Sequence, residues 1–215
     1  IINGLNSYYD NANIQFYECS NVNYIDDSGN YDFAYSSTLK SNWCSANDVS
    51  GVINIYFFNS IFTSGDPSET WCGYSTFPAS MGGSADGIIM DNSCAINGST
   101  MTHEVGHFFS LLHTHETALG TEIVSRTSFT TTILGMSFTI SPNCSSAGDE
   151  LCSTEADWWN AGNGLSGLVN TSCVYTGNAV DAYGYTYVPD PTNLMSYARK
   201  SCRTFLSNGQ YNRIN

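Results

Sequence analysis

The chain of 215 residues is poor in basic side chains and has no long apolar run. Six Lys and Arg stand against 19 Asp and Glu, which gives a formal net charge of −13. Because nucleic acids and anionic membranes are bound through Lys and Arg, this balance argues against both as partners. No stretch of about 18–20 residues is apolar enough to predict a membrane-spanning helix. There is also no internal repeat, so we expect one compact domain over residues 1–215, active as a monomer.

Cysteine is present in an even number, and no pair has the C-x-x-C spacing that is typical of redox motifs and many metal sites. This pattern predicts up to four disulfides and, with a charged fraction of only 12%, a secreted protein. Four cysteines lie in each half of the chain: Cys19, Cys44, Cys72 and Cys94, then Cys144, Cys152, Cys173 and Cys202. Pairing within each set is the simplest expectation, although each set allows three connectivities.

Histidine is scarce, yet three of the four histidines lie within eleven residues. His103, Glu104 and His107 form an H-E-x-x-H sequence, and His113 follows six residues later. Shuffled chains of this composition would contain that arrangement in roughly one case in 20,000, so chance does not account for it.

The spacing suits a catalytic zinc site. Residues four apart share one face of a helix, so His103 and His107 can direct two imidazoles at one point. Three imidazoles and a water form an open zinc site, whereas structural zinc is usually enclosed by cysteines. Glu104 is then the general base that takes a proton from the water. His115 is the alternative third ligand, and the motif favours His113.

Four segments carry a resemblance to a known family: residues 87–90, 102–114, 143–157 and 193–214. The second contains the three-histidine motif, the third reads NCSSAGDELCSTEAD, and the last begins with NLMSY. Together they resemble the pappalysin (cytophagalysin-like) branch of the metzincin peptidases, in its bacterial secreted form. The N-terminal part of the chain is compatible but much less specific.

The resemblance implies roles for several further residues. Met195 would form the Met-turn beneath the three imidazoles, and Tyr197 would offer its phenol to the oxyanion of the tetrahedral intermediate. A sheet-edge strand would pair with extended protein or peptide substrates. The residues of that strand are Gly87, Ile88, Ile89 and Met90.

The chain departs from the family pattern at two places. Ser110 stands where the family has a glycine that turns the chain back toward the metal, and a left-handed backbone costs a non-glycine residue about 1–2 kcal/mol. The segment 153–155 reads Ser-Thr-Glu where the family usually has Asp-Thr-Pro. A nearby family calcium site is therefore in question, with Asp149 as the remaining candidate ligand.

The expected fold is α+β and metzincin-like. A twisted mixed sheet with the active-site helix would occupy about residues 1–113, a loop-rich, disulfide-linked subdomain about residues 114–215, and a cleft would separate them. We predict strands at 14–19, 52–58 (central in its sheet) and 87–91, a strand or hairpin within 123–140, and helices at 5–9 and 207–214.

These patterns predict a secreted zinc endopeptidase. Three alternatives remain: a metzincin of astacin-like or reprolysin-like type, a zinc-binding but inactive binding or adhesion module, and a zinc hydrolase acting on non-peptide substrates. The NCSSAGDELC run argues against the first. Glu104 argues against the second, because a structural zinc site needs no general base.

Overall fold

The computed structural model describes residues 1–19, 21–77, 86–96 and 99–215. It is a mixed α+β structure with small sheets and three disulfides. Two compact units are present, Ile1–Ser110 with Ile214–Asn215, and Leu111–Arg213. Of the helices described, none has the length and apolar character needed to cross a membrane.

Within its described residues, the first unit contains four α-helices and two three-stranded sheets. Its helices are α1 (Ile2–Tyr9), α2 (Ser37–Asn47), α3 (Asn92–Ala95) and α4 (Ser99–Phe108). Its strands are β1 (Asp32–Tyr35), β2 (Ile55–Phe58), β3 (Ser60–Thr63), β4 (Asp66–Thr70), β5 (Gly73–Ser75) and β6 (Ile88–Asp91). One sheet has the order β1-β3-β4 and the other β2-β6-β5.

Strand β6 is the middle strand of its sheet, parallel to β2 and antiparallel to β5. The prediction of a substrate-pairing edge strand at Gly87, Ile88, Ile89 and Met90 is therefore wrong, because both edges of β6 are already paired. The run Ile-Ile-Met-Asp is buried throughout, which is typical of an interior strand. The predicted central strand at 52–58 is shortened to β2 and pairs only with β6 among the described strands.

The predicted strand at 14–19 does not form. Asn6 of α1 donates its side-chain amide to the carbonyl of Phe16 (3.1 Å) and accepts the N–H of Phe16 (2.6 Å). Both backbone groups of Phe16 are thus bonded to a side chain instead of a sheet ladder. The Phe16 ring then packs against Tyr9 and Phe109.

The first unit has an aromatic core. Phe33, Phe58, Ile61 and Ile89 are buried together. Helix α4 is held by Tyr9, which is fully buried and donates its hydroxyl to the carbonyl of Thr102 (2.8 Å). The helix that carries the histidines is therefore linked to α1 by a buried hydrogen bond.

The second unit is mainly loops. Its regular elements are the hairpin β7 (Phe129–Ile133) and β8 (Met136–Ile140), while helix α5 (Asn208–Ile214) comes near the end of the chain. The hairpin turn places Leu134 (φ 52°) and Gly135 (φ 80°) in left-handed backbone, as a two-residue hairpin loop requires. The predicted hairpin and terminal helix are confirmed.

The disulfides pair within the two sets, in agreement with the simplest expectation. Cys72 bonds to Cys94 in the first unit. Cys144 bonds to Cys152, and Cys173 to Cys202, in the second. The fourth predicted pair does not form: Cys19 is exposed and Cys44 is buried, and both are free thiols.

Candidate metal centre

Helix α4 brings the first two histidines together. All ten of its residues are buried, and the Nε2 atoms of His103 and His107 lie 3.1 Å apart. The two rings are nearly perpendicular, at 87°, with centroids 4.7 Å apart. Both nitrogens therefore converge on one point, as one helical turn between the residues predicts.

Ser110 adopts the left-handed backbone that the motif requires. Helix α4 ends at Phe108, and the N–H of Ser110 bonds to the carbonyl of His107 at 2.8 Å. Ser110 has φ 65°, a conformation that glycine adopts without steric cost. The turn therefore forms although serine occupies it.

His113 completes a group of three. Among the described residues, His103, His107 and His113 are the set of metal-ligating side chains that could hold an ion, with their ligand atoms all within 4.8 Å of one another. Imidazole nitrogens at about 2.0–2.1 Å from a tetrahedral zinc would lie about 3.3 Å apart, close to the 3.1 Å between His103 and His107. The residues present fit a metal ion with three nitrogen ligands.

His115 lies outside this group. It is buried, its ring stacks on His113 at 13° with centroids 5.0 Å apart, and burial lowers its pKa to about 4. The ring also contacts Trp159 and Tyr197. His115 is thus neutral at physiological pH, and its ring packs against the ring of His113.

The residues predicted as the Met-turn lie directly beside His113 in the chain's second unit. The carbonyl of Met195 accepts the N–H of Thr114 at 3.2 Å, and Met195 is fully buried. The ring of Tyr197 meets the ring of His113 edge-on, with centroids 4.6 Å apart. Tyr197 is 37% exposed, so part of its side chain can be reached from solvent.

A reciprocal amide pair fixes this turn. The side chain of Asn193 donates to Gln210 Oε1 (2.9 Å) and accepts from Gln210 Nε2 (3.1 Å), and both residues are buried. Asn193 also accepts the N–H of Met195 at 2.8 Å. Sequence reasoning did not find Gln210, since no local pattern links positions seventeen residues apart.

Gly73 was also missed, and it contacts the predicted general base. A methyl group added at Gly73 would lie 3.0 Å from Cγ of Glu104 and 2.7 Å from Sδ of Met90. Only a residue without Cβ lets β5 lie this close to Glu104. The single signal in the sequence is a glycine inside a strand, which often marks a close approach of the backbone.

Three of the buried carboxyl groups in the second unit have raised pKa values. Burial raises the pKa of Glu122 and of Asp157 to about 7, and that of Asp149 to about 6. Asp149 Oδ1 accepts the N–H of Leu151 and the hydroxyl of Thr154. Asp149 belongs to no close group of three metal-ligating side chains among the described residues, so the calcium site stays a prediction.

No model of a known protein family matches the chain, and no curated protein matches it either. The assignment of a function therefore depends on the chemistry of the site.

Proposed function

We propose that the protein is a zinc-dependent endopeptidase of the metzincin type, and that its resemblance to the pappalysin branch reflects descent. The observation that carries the proposal is the grouping of His103, His107 and His113 around one point, with Glu104 adjacent in the same helix. Zinc is the metal of choice for three imidazole ligands, and when bound it would lower the pKa of a water and polarise the scissile carbonyl.

The chain's own residues supply the proton transfers. Glu104 is buried, and its side chain lies against β5 near the histidines of its own helix. It would take the proton of the attacking water and deliver it to the departing amine. Tyr197, whose ring contacts that of His113, would donate a hydrogen bond to the oxyanion of the tetrahedral intermediate.

We propose that β5, instead of β6, is the strand that pairs with an extended substrate. Within the described residues β5 pairs with β6 alone, so its second edge is open to an added strand. The contact between Gly73 of β5 and Glu104 would then bring an extended peptide next to the general base. Secretion and a monomeric state remain part of the proposal, and the three disulfides support an oxidising compartment.

The test is to compare wild type with Glu104→Gln on an unfolded protein such as casein. Wild type should contain about one zinc per chain, cleave casein, and lose activity in a chelator. Glu104→Gln should keep zinc and fold yet lose about 10²–10⁴-fold in turnover. Glu18→Gln, at an exposed position, is the matched control and should behave as wild type.

Two results would refute the proposal. Wild-type turnover in Glu104→Gln would remove Glu104 as the base. Stoichiometric zinc with no cleavage of any peptide by wild type would favour the inactive binding module. Tyr197→Phe refines the mechanism, with an expected loss of about 10–10³-fold in turnover at unchanged zinc content.

A further inference from the structure

The second unit contains a pocket of about 450 Å³ whose wall is strongly basic. Arg199, Lys200 and Arg203 line it, together with Ser166, Gly167 and Tyr197. The whole chain has only six Lys and Arg against 19 acids, so half of its positive charge surrounds this pocket. Among the described residues that line it, there is no Asp or Glu.

Arg199 is held in place by the backbone around it. Arg199 donates its Nε–H to the carbonyl of Val169 at 2.7 Å, a bond that does not use the terminal nitrogens of its guanidinium. The N–H of Cys202 closes a turn on the carbonyl of Arg199 at 2.8 Å, and Cys202 is bonded to Cys173.

Arg203 is the most enclosed of the three. It is only 6% exposed, and its Nη1 lies 3.4 Å from the carbonyl of Ser196, which it contacts as a donor. A guanidinium fixed in a protein wall loses less entropy on binding a carboxylate than a freely rotating one.

Tyr197 connects this pocket to the metal centre. Its ring is part of the pocket wall and also contacts the ring of His113. A group bound in the pocket is therefore one side chain away from a metal ligand. That separation suits a residue of the substrate next to the bond that is cleaved.

We propose that this pocket binds a carboxylate of the substrate, next to the scissile bond, and so selects acidic substrates. The inference rests on the proposed function for the position of the bond, but not for the binding of the carboxylate itself. Arg side chains bind carboxylates through paired N–H donors, and Lys adds a point charge. The carboxylate is either an Asp or Glu side chain or the C-terminal carboxylate of a peptide, and these two sources share the same chemistry.

The net charge of the protein cannot itself favour acidic peptides. At −13 the chain repels acidic peptides at long range, and that repulsion is screened beyond about 8 Å at physiological ionic strength. A preference for acidic residues can then come only from short-range contacts. We therefore expect selectivity to persist at physiological salt, where the long-range field is weak.

The experiment measures binding of labelled peptides to zinc-loaded Glu104→Gln by fluorescence anisotropy. One peptide series has a single Asp moved across the central positions, a second has Asn there, and a third has its C-terminus free or amidated in a chain without acids. We expect at least about 10-fold tighter binding for Asp than Asn at one central position, or for the free C-terminus over the amide. The series that responds identifies the source of the carboxylate.

Substitutions in the pocket test which residues cause the preference for a carboxylate. Arg199→Gln and Lys200→Gln should each reduce the preference about 3- to 10-fold. Arg203 is buried, so its variant is Arg203→Lys, which keeps the charge and should weaken the preference less. Thr70→Glu, exposed on β4 and outside the pocket, changes net charge by the same amount and should leave the preference intact.

The two proposals fail in different ways. Equal binding of Asp, Asn and amidated peptides would overturn the carboxylate pocket, whether or not the wild type cleaves casein. The pocket is also overturned if Thr70→Glu removes the preference as much as Arg199→Gln does. Selective binding that depends on Arg199 and Lys200, in a wild type that cleaves nothing, would support the pocket and refute the peptidase.

Discussion

Asp157 should make the protein less stable as the pH rises from about 4 to about 7. Its side chain is 4% exposed; Oδ2 accepts the hydroxyl of Thr114 at 2.7 Å, and Oδ1 has no hydrogen-bond partner within the described residues. Burial raises the pKa of Asp157 to about 7, against about 3.9 in an unfolded chain. Between these values only the unfolded state releases the proton, so raising the pH favours unfolding by up to about 1.4 kcal/mol per unit.

Asp157→Asn removes this titration while keeping an oxygen that can accept from Thr114. We expect the free energy of unfolding of the variant, minus that of wild type, to increase by about 2 kcal/mol from pH 5 to pH 7.5. Urea unfolding of both proteins in a chelator, followed by tryptophan fluorescence, measures the difference. Taking the difference cancels the titration of the histidines, which is common to both proteins.

The control is Asp66→Asn. Asp66 is exposed, and hydrogen bonds from Ser68 lower its pKa, so neither state changes protonation between pH 5 and 7.5. The free energy of unfolding of Asp66→Asn, minus that of wild type, should therefore not change between pH 5 and pH 7.5. A flat curve for Asp157→Asn as well would mean that the buried carboxyl is already ionised at pH 5, and the assignment of a burial-raised pKa would be wrong.

Three further substitutions test the site and its support. Ser110→Gly should raise the free energy of unfolding by about 0.5–1 kcal/mol in chemical denaturation, since it relieves the left-handed strain at φ 65°; a loss of stability would contradict this. Gly73→Ala should lower turnover about 10- to 100-fold at unchanged zinc content, because its methyl group displaces Glu104; full activity would show that the contact is not tight. Tyr9→Phe should cost about 1 kcal/mol of stability, the hydrogen bond to Thr102, and a neutral result would show that water replaces it.

The parts of the site that the sequence predicted are local in the chain. His103 and His107 share a helix face because of their spacing, and His113 follows a turn whose geometry the motif itself requires. The hairpin near Leu134-Gly135 and the terminal helix are likewise encoded by short-range patterns. The pairing of cysteines within each half followed because short separations are the easiest to close.

The features that the sequence did not predict depend on contacts between residues that are far apart in the chain. Strand β6 has the same residues whether one or two strands pair with it, so its interior position could not be predicted from the run Ile-Ile-Met-Asp. Residues 14–19 have the composition of a strand, but Asn6 takes the hydrogen bonds of Phe16. Gly73 contacts Glu104 across thirty-one positions, and no local pattern near Gly73 indicates that contact.

The Asn193–Gln210 pair has a consequence for the order of events during synthesis. A nascent chain leaves the ribosome from its N-terminus, so the three histidines emerge about a hundred residues before Gln210. Until Gln210 appears, the amide of Asn193 lacks its reciprocal partner and the turn that bonds to Thr114 is less firmly held. The final position of Met195 and Tyr197 beside His113 is thus set only after Gln210 has been made, about a hundred residues later than the histidines themselves.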